Sequence, residues 1–461
     1  MTRAKKHLVA TLPFLGLSVS LFAARPNVLV ILADDLGYAD LGCQGSPDVK
    51  TPNIDSLAAN GIRCTAGYVT APQCSPSRAG LLSGRYQQRF GHEGNPNFPV
   101  MLMKGGVTIA DHLQANGYAT AHFGKWHLGF DDAEAAPKEI RESKDQMTPR
   151  QHGFEESFSY ADYDKIATKG GEIPVAPHAY DDLVFGRKAA EFITQHNGNP
   201  WFIYLALHAP HTQQVDFGNY RDRFPDAPKE RLGVLSVMMR QDESVGIVLT
   251  KLHELKQDEN TLIFFLSDNG GTRRGDGERK HFTGSMNTPF SGDKGTAYEG
   301  GLRVPFLVQW RGTLPSGKVY DRPVSSLDIL PTALAATGTK PLGETALDGV
   351  NLLPFFGEKQ SGDPHTALFW RWRAEQAVRQ GDWKLVRGKE HREWRLIDLS
   401  KDAKETTDLT SQYPEKAKEL RDLFERWTAD LPPVGPNFKD TTEGDEGDVD
   451  RMLMPDNPVA P

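Results

Sequence analysis

The chain has 461 residues, with 53 Lys and Arg against 61 Asp and Glu, a formal net charge of −8, and 38% hydrophobic residues. This composition supports a large folded core, in one very large domain or two to three ordinary ones. Its acidic balance excludes a general nucleic-acid or anionic-membrane binder. Three cysteines, Cys43, Cys64 and Cys74, are too few for a disulfide scaffold or a four-cysteine zinc site.

Residues 1–24 read as an export signal. Arg3, Lys5 and Lys6 precede a largely apolar run, Leu8 to Phe22, and Ala23 and Ala24 offer small residues for cleavage. The run is interrupted by Pro13 and Gly16 and is shorter than the ~20 residues a membrane span needs. The expectation is a periplasmic or secreted protein without stable membrane insertion.

From residue 25 to about 345, short apolar runs read as strands buried on both faces: Val28–Leu32, Trp201–Leu207, Leu262–Leu266, Val304–Val308 and, more weakly, Tyr118–Phe123. Amphipathic stretches of helical length, Asp181–Gln195 and Val234–Leu255, lie between them. This alternation predicts an α/β fold with a large, mostly parallel sheet sandwiched by helices, and functional residues at the strand ends. Residues 346–435 read differently. Ala367–Arg373, Ala377–Val378, Lys384–Val386 and Trp394–Leu399 suggest antiparallel strands, and a helix follows from Pro414 to Trp427. The expectation is a smaller C-terminal α+β subdomain. Residues 436–461 form an acidic, proline-containing tail, with six acidic residues in Asp440–Asp450.

The most informative stretch is Cys74-Ser75-Pro76-Ser77-Arg78. Pro76 suits the start of a helix that Ala79 to Ser83 continue and Gly84 stops. Cys74 then lies at a helix N-terminus, where unpaired N–H groups favour anions, and Arg78 follows one turn later. Asp34-Asp35 and Ser267-Asp268-Asn269-Gly270 each follow a predicted strand. Either pair alone suits a helix cap, but the two converging would present three carboxylates and an amide. An all-oxygen set suits a hard cation, Ca²⁺ rather than zinc. Lys125 and His127, two apart, would project to one side of an extended segment. His208 and His211 close the Trp201–Leu207 strand, and Lys294 sits in a Gly-rich loop before the Val304 strand.

Cys74 through Arg85 and the stretch Gly117 through Gly129 resemble the two signatures of the formylglycine-dependent sulfatases, of the alkaline-phosphatase-like superfamily. The resemblance runs over nearly the whole chain after residue 24. It implies that a maturation enzyme oxidises Cys74 to formylglycine, whose aldehyde hydrate is the nucleophile. It also implies that Asp34, Asp35, Asp268, Asn269 and residue 74 hold one calcium ion. Further roles follow from it. Arg78 orients the nucleophile, Lys125 and Lys294 hold sulfate oxygens, His127 contacts the formylglycine hydroxyl, and His208 lies near the leaving oxygen. The implied activity is hydrolysis of sulfate esters, and export without a membrane anchor favours an extracytoplasmic ester on a carbohydrate. His211, Asn95, Arg273 and Arg274 are candidates for substrate binding, with His92–Asn97, His281 and Phe369–Arg373 nearby in the same role. Trp370 and Trp372 suit either sugar stacking or an interdomain seam.

Two other readings stand beside this one. Relatives within the superfamily cleave phosphate or phosphonate esters, many with two zinc ions, but no second ligand cluster is evident in the sequence. A non-catalytic receptor for sulfated glycans would be expected to show a damaged catalytic set, and here every expected position is filled.

Overall fold

The computed structural model describes residues 25–93, 107–130, 148–168, 181–211, 220–227, 229–272, 284–343 and 346–432. The export signal read at 1–24 and the tail at 436–461 lie outside them. Fourteen strands are described: β1 (Asn27–Ala33), β2 (Ile62–Cys64), β3 (Gly67–Tyr68), β4 (Ala119–Gly124), β5 (Glu156–Ser159), β6 (Trp201–Ala206), β7 (Thr261–Ser267), β8 (Phe306–Gln309), β9 (Lys318–Tyr320), β10 (Val324–Ser325), β11 (Leu368–Trp372), β12 (Glu375–Gln380), β13 (Trp383–Arg387) and β14 (Arg395–Asp398). Eight form one mixed sheet in the order β5-β4-β6-β1-β7-β8-β2-β9. Only β8 runs against the others, being antiparallel to both β7 and β2.

The apolar runs are continuous because both faces of this sheet are covered. Val28, Val30 and Leu32 of β1 point to one side, with Phe202, Tyr204, Leu262 and Phe264, against Leu81, Leu82, Ile109 and Leu330. Leu29, Ile31 and Ala33 point to the other, with Ile203, Leu205, Ile263 and Phe265, against the helices Asp182–Gln195 and Lys229–Glu254. The two-residue period of a strand therefore feeds two separate cores from one sequence run.

Most expected boundaries shift by one or more residues, and two of the shifts have a clear local reason. β8 begins at Phe306 rather than Val304, whose N–H is taken by Gly67 O of β3. The helix expected to begin at Pro76 begins at Cys74, with Gln73 as N-cap and Gly84 in the left-handed conformation at its end. Pro76 is tolerated because the first four N–H groups of a helix have no intrahelical partner; the first such bond runs from Ser77 N to Gln73 O.

The four antiparallel strands β11 to β14 form a separate sheet. Leu368, Trp370, Ala377, Val386 and Ile397 on one face pack on Ala66, Tyr68, Ala297, Tyr298 and Leu302 of the large unit. Val378, Leu385 and Leu396 on the other face pack on the helix Pro414–Ala429 through Leu420, Phe424 and Trp427. No helix among the described residues is long and apolar enough to cross a membrane.

Candidate functional site

Strands β4, β6, β1 and β7 are adjacent and parallel, so their C-terminal ends line one edge of the sheet. In register, Gly124 and Leu32 both pair with Ala206, and Ala33 pairs with Ser267. The chain leaves these strands as Lys125, His208, Asp34-Asp35 and Asp268-Asn269. Main-chain bonds continue the ladder past the ends: Lys125 N to Ala206 O at 2.9 Å and Asp268 N to Ala33 O at 3.0 Å. Gly124 permits this approach, since a Cβ there would lie 1.9 Å from Ala206 O. Asp35 (φ 64°) and His127 (φ 55°) both adopt the left-handed conformation, which is costly for side chains of this kind. Lys125–His127 lies just past the end of β4 without regular secondary structure, and of the three only His127 is in the left-handed region.

The helix Cys74–Ser83 points its N-terminus at this edge. Cys74 Sγ is 3.6 Å from Asp34 Oδ1 and 3.8 Å from Asp35 Oδ1, and every residue of the helix is buried. Arg78, wholly buried, reaches past Cys74. Its Nε and one terminal nitrogen donate to Asp268 Oδ2 at 2.9 and 2.6 Å, and the other donates to Lys125 O at 2.9 Å. Lys125 Nζ donates to Asp34 Oδ2 at 2.6 Å, and Lys294 Nζ to Asp35 Oδ2 at 3.0 Å. The Lys294 loop is itself tied down by Gly295 N donating to Pro72 O, two residues before Cys74.

Crowded buried carboxylates set the electrostatics. Burial raises the Asp34 carboxyl, but Lys125, His211 and Arg78 outweigh it and hold it well below the usual range. Burial likewise opposes Lys294 and His211 at Asp35, which also ends up lowered. Asp268 goes the other way, pushed up to about 7 by burial, with Arg78 opposing and Asp34 and Asp35 adding. Three carboxylates in one dry site resist joint ionisation without a further cation. Burial, then Asp268, raise the Cys74 thiol well above its ordinary value, so it is held protonated. Burial, Lys125 and Arg78 hold His127 well below its ordinary value, and hence neutral.

One carboxylate oxygen from each of Asp34, Asp35 and Asp268, with Cys74 Sγ, lie within 4.8 Å of one another. Asn269 Nδ2 donates to Asp35 Oδ1 at 2.7 Å, while its buried Oδ1 has no hydrogen-bond partner among the described residues. A polar oxygen left unpaired in a dry site beside three carboxylates fits a hard divalent cation. His208 and His211 come to the same place: Nδ1 of His208 is 3.9 Å from Asp34 Oδ2, and Nε2 of His211 is 3.8 Å from Asp35 Oδ2.

Ten sequence-predicted residues thus meet in one site: Asp34, Asp35, Cys74, Arg78, Lys125, His127, His208, His211, Asp268 and Asn269, with Lys294 as an eleventh from its loop. Asn95, Arg273, Arg274 and His281 lie outside the described residues. Trp370 is buried, and its Nε1 donates to Val69 O at 2.6 Å; Trp372 is buried as well. Trp370 therefore packs in the seam between the units. Cys43 and Cys64 are free thiols. Sequence reading missed Thr272, whose hydroxyl donates to Asp35 Oδ2, Tyr160, bonded to His208 Nδ1, and Asp182, which accepts from His208 N. Thr272 follows Asn269 by three residues and was findable on that ground. Tyr160 and Asp182 reach the site only through strand pairing and helix packing.

Comparison with known proteins agrees with this geometry. Residues 26–339 match the family model described as Sulfatase, and residues 290–429 match that described as N-sulphoglucosamine sulphohydrolase, C-terminal. The chain is 32% identical to N-acetylgalactosamine-6-sulfatase of Mus musculus over 421 residues, 83% of this chain and 75% of that protein. It is 34% identical to arylsulfatase A of Homo sapiens over 403 residues, 80% and 76% of the two chains. The crystal structure of Ps i-CgsB in complex with k-i-k-neocarrahexaose superposes with a TM-score of 0.78 at 30% identity, covering 93% of this chain and 98% of that one. With its alkaline-phosphatase-like sheet and this site at the strand ends, the chain belongs to the sulfatase family and is a sulfuric ester hydrolase.

Proposed function

We propose that the protein is an exported sulfatase that removes sulfate from a carbohydrate, with residue 74 matured to formylglycine and one calcium ion bound. The observation that carries this reading is the meeting, around one buried Cys74, of three carboxylates, an amide with an unpaired oxygen, and the cations Arg78, Lys125 and Lys294. Two relatives lend support on the substrate side, one named for N-acetylgalactosamine-6-sulfate and one crystallised with a neocarrahexaose.

A sulfate ester presents a crowded, negative centre, so attack requires neutralised charge and a fixed nucleophile. The protonated Cys74 thiol is a poor nucleophile as it stands. As formylglycine, residue 74 supplies an aldehyde hydrate instead. Asp34, Asp35, Asp268 and Asn269 would hold the calcium ion, which supplies positive charge beside residue 74 and the sulfate. Arg78 fixes Asp268 and the main chain of Lys125, and so couples the metal ligands to a sulfate-binding lysine. Lys125 and Lys294, paired with Asp34 and Asp35, are placed to take the sulfate oxygens. His208 gives a proton to the leaving oxygen. Neutral His127 is suited to accept one from residue 74.

Peptide mass spectrometry of the Cys74 segment from active protein is expected to show aldehyde in place of thiol; fully active protein carrying only thiol overturns the mechanism. Parallel turnover of an aryl sulfate and the matching aryl phosphate is expected to favour sulfate. A preference for phosphate would assign the site to phosphate esters instead.

A further inference from the structure

We infer that Glu375 is a positioning residue through which the C-terminal sheet sets the place of Lys294, an inference that rests on Lys294 being a sulfate-binding cation. Lys294 and Gly295 form a turn between β7 and β8, so neither a strand ladder nor a helix fixes their main chain. Locally, Thr296 N donates to Asp293 O at 3.0 Å, and Asp293 N to Thr296 Oγ1 at 3.1 Å. The large unit meets the turn through two main-chain bonds, Lys294 N to Gly271 O at 3.4 Å and Gly295 N to Pro72 O at 2.8 Å.

On the other side of the turn the partners belong to the C-terminal unit. Ala297 N donates to Glu375 Oε2 at 2.9 Å, and Glu299 N to Glu405 Oε2 at 2.6 Å. Glu375 opens β12, opposite Trp372 of β11, and is buried. Its second oxygen, Oε1, accepts from Lys389 N at 2.8 Å, just past the end of β13. One carboxylate thus ties the loop to the ends of two strands. Gly388 leaves it room, since a Cβ there would lie 2.3 Å from Oε2 and 2.5 Å from Oε1.

Ala297 is buried, and a buried N–H is costly to leave unpaired, so the loop follows the carboxylate. Three residues away, Lys294 Nζ reaches Asp35 Oδ2 at 3.0 Å. A misplacement of about 1 Å in a group that holds a reacting substrate can cost about 10²-fold in rate. Glu375 acts on the chemistry only through this loop.

The test is a double-mutant cycle on 4-nitrophenyl sulfate, with Gly388→Ala and Glu375→Gln each made in wild type and in Lys294→Ala. The first moves the carboxylate and leaves the loop unaltered. The second keeps the length but turns an amide NH2 toward one of the two N–H donors. Circular dichroism and melting temperature check each fold, and Gly388→Ala carries the test alone where Glu375→Gln does not fold. In wild type each substitution is expected to lower kcat about tenfold. In Lys294→Ala each should cost less than about twofold, because the group being placed is gone. A purely structural defect lowers both backgrounds by the same factor. Equal losses in the two backgrounds therefore overturn the role of Glu375, as does normal turnover of every folded variant. If Lys294→Ala itself turns over normally, Lys294 does not hold the sulfate, and the inference falls with that reading.

Discussion

Lys294 and Asp35 form a 3.0 Å pair in which each charge stabilises the other, and neither is exposed enough for water to replace its partner. A cation so placed contributes most when negative charge moves onto the sulfate oxygens beside it. Lys294→Ala is therefore expected to lower kcat by roughly 10²–10³-fold, the range seen when a single charge-stabilising donor is removed. Near-normal turnover in steady-state assays would take Lys294 out of the catalytic set. Asp268 and Asn269 bear on the metal. Burial and two neighbouring carboxylates push Asp268 up to about 7 against the opposing Arg78, and Asn269 Oδ1 has no partner among the described residues. Chelation of divalent ions should abolish activity and lower the melting temperature, and added calcium should restore both. A melting curve indifferent to chelator and calcium would remove the ion from this site.

Among the elements, the loop bearing Lys294 is held by the C-terminal sheet as much as by the large unit. Ala297 N donates to Glu375 Oε2 of β12, and Glu299 N to Glu405 Oε2. Lys384 of β13, wholly buried, sits 2.9 Å from both Glu299 and Glu405. Replacing it with Met leaves two carboxylates buried without their shared cation, which typically costs about 3–5 kcal/mol. Urea unfolding of Lys384→Met should show a loss of that order. A change under 1 kcal/mol, a size ordinary for an exposed pair, would mean that the ion triad contributes little. Trp370, far along the chain, joins this seam through Val69, five residues before Cys74.

At the scale of the whole molecule, His365 and Asp328 tie the approach to β11 back to the large unit, with His365 Nε2 2.8 Å from Asp328 Oδ1. Burial pulls the imidazole down, but Asp328 outweighs it and raises His365 above its ordinary 6.5. The folded state then binds this proton more tightly than the unfolded one. The pair's contribution is complete below 6.5 and is lost as pH rises through the higher folded value. Wild type should exceed His365→Gln in stability most at mildly acidic pH, with the gap closing as pH rises above 6.5, as measured by urea midpoints across that range. A gap that stays constant, or widens with pH, would contradict the assignment.

Much of this was legible in order along the chain. Buried parallel strands need continuous apolar runs, so Val28–Leu32, Trp201–Leu207 and Leu262–Leu266 stood out, and the chemistry follows where each run stops: Asp34, His208, Asp268. Cys74 and Arg78 were visible because a proline-bearing helix start carries its own local signature. What the linear order did not contain is strand adjacency. β4, β6, β1 and β7 are neighbours only after crossovers of many residues, and that adjacency decides that Lys125 meets Asp34 and that Tyr160 meets His208. The seam was undecided for the same reason. Trp370 suits a sugar or a core equally well until a partner is placed against it. Local chemistry therefore selected the residue types and the strand ends by sequence alone, whereas which ends share an edge, and which groups are buried together there, depended on long-range packing that only the tertiary structure decided.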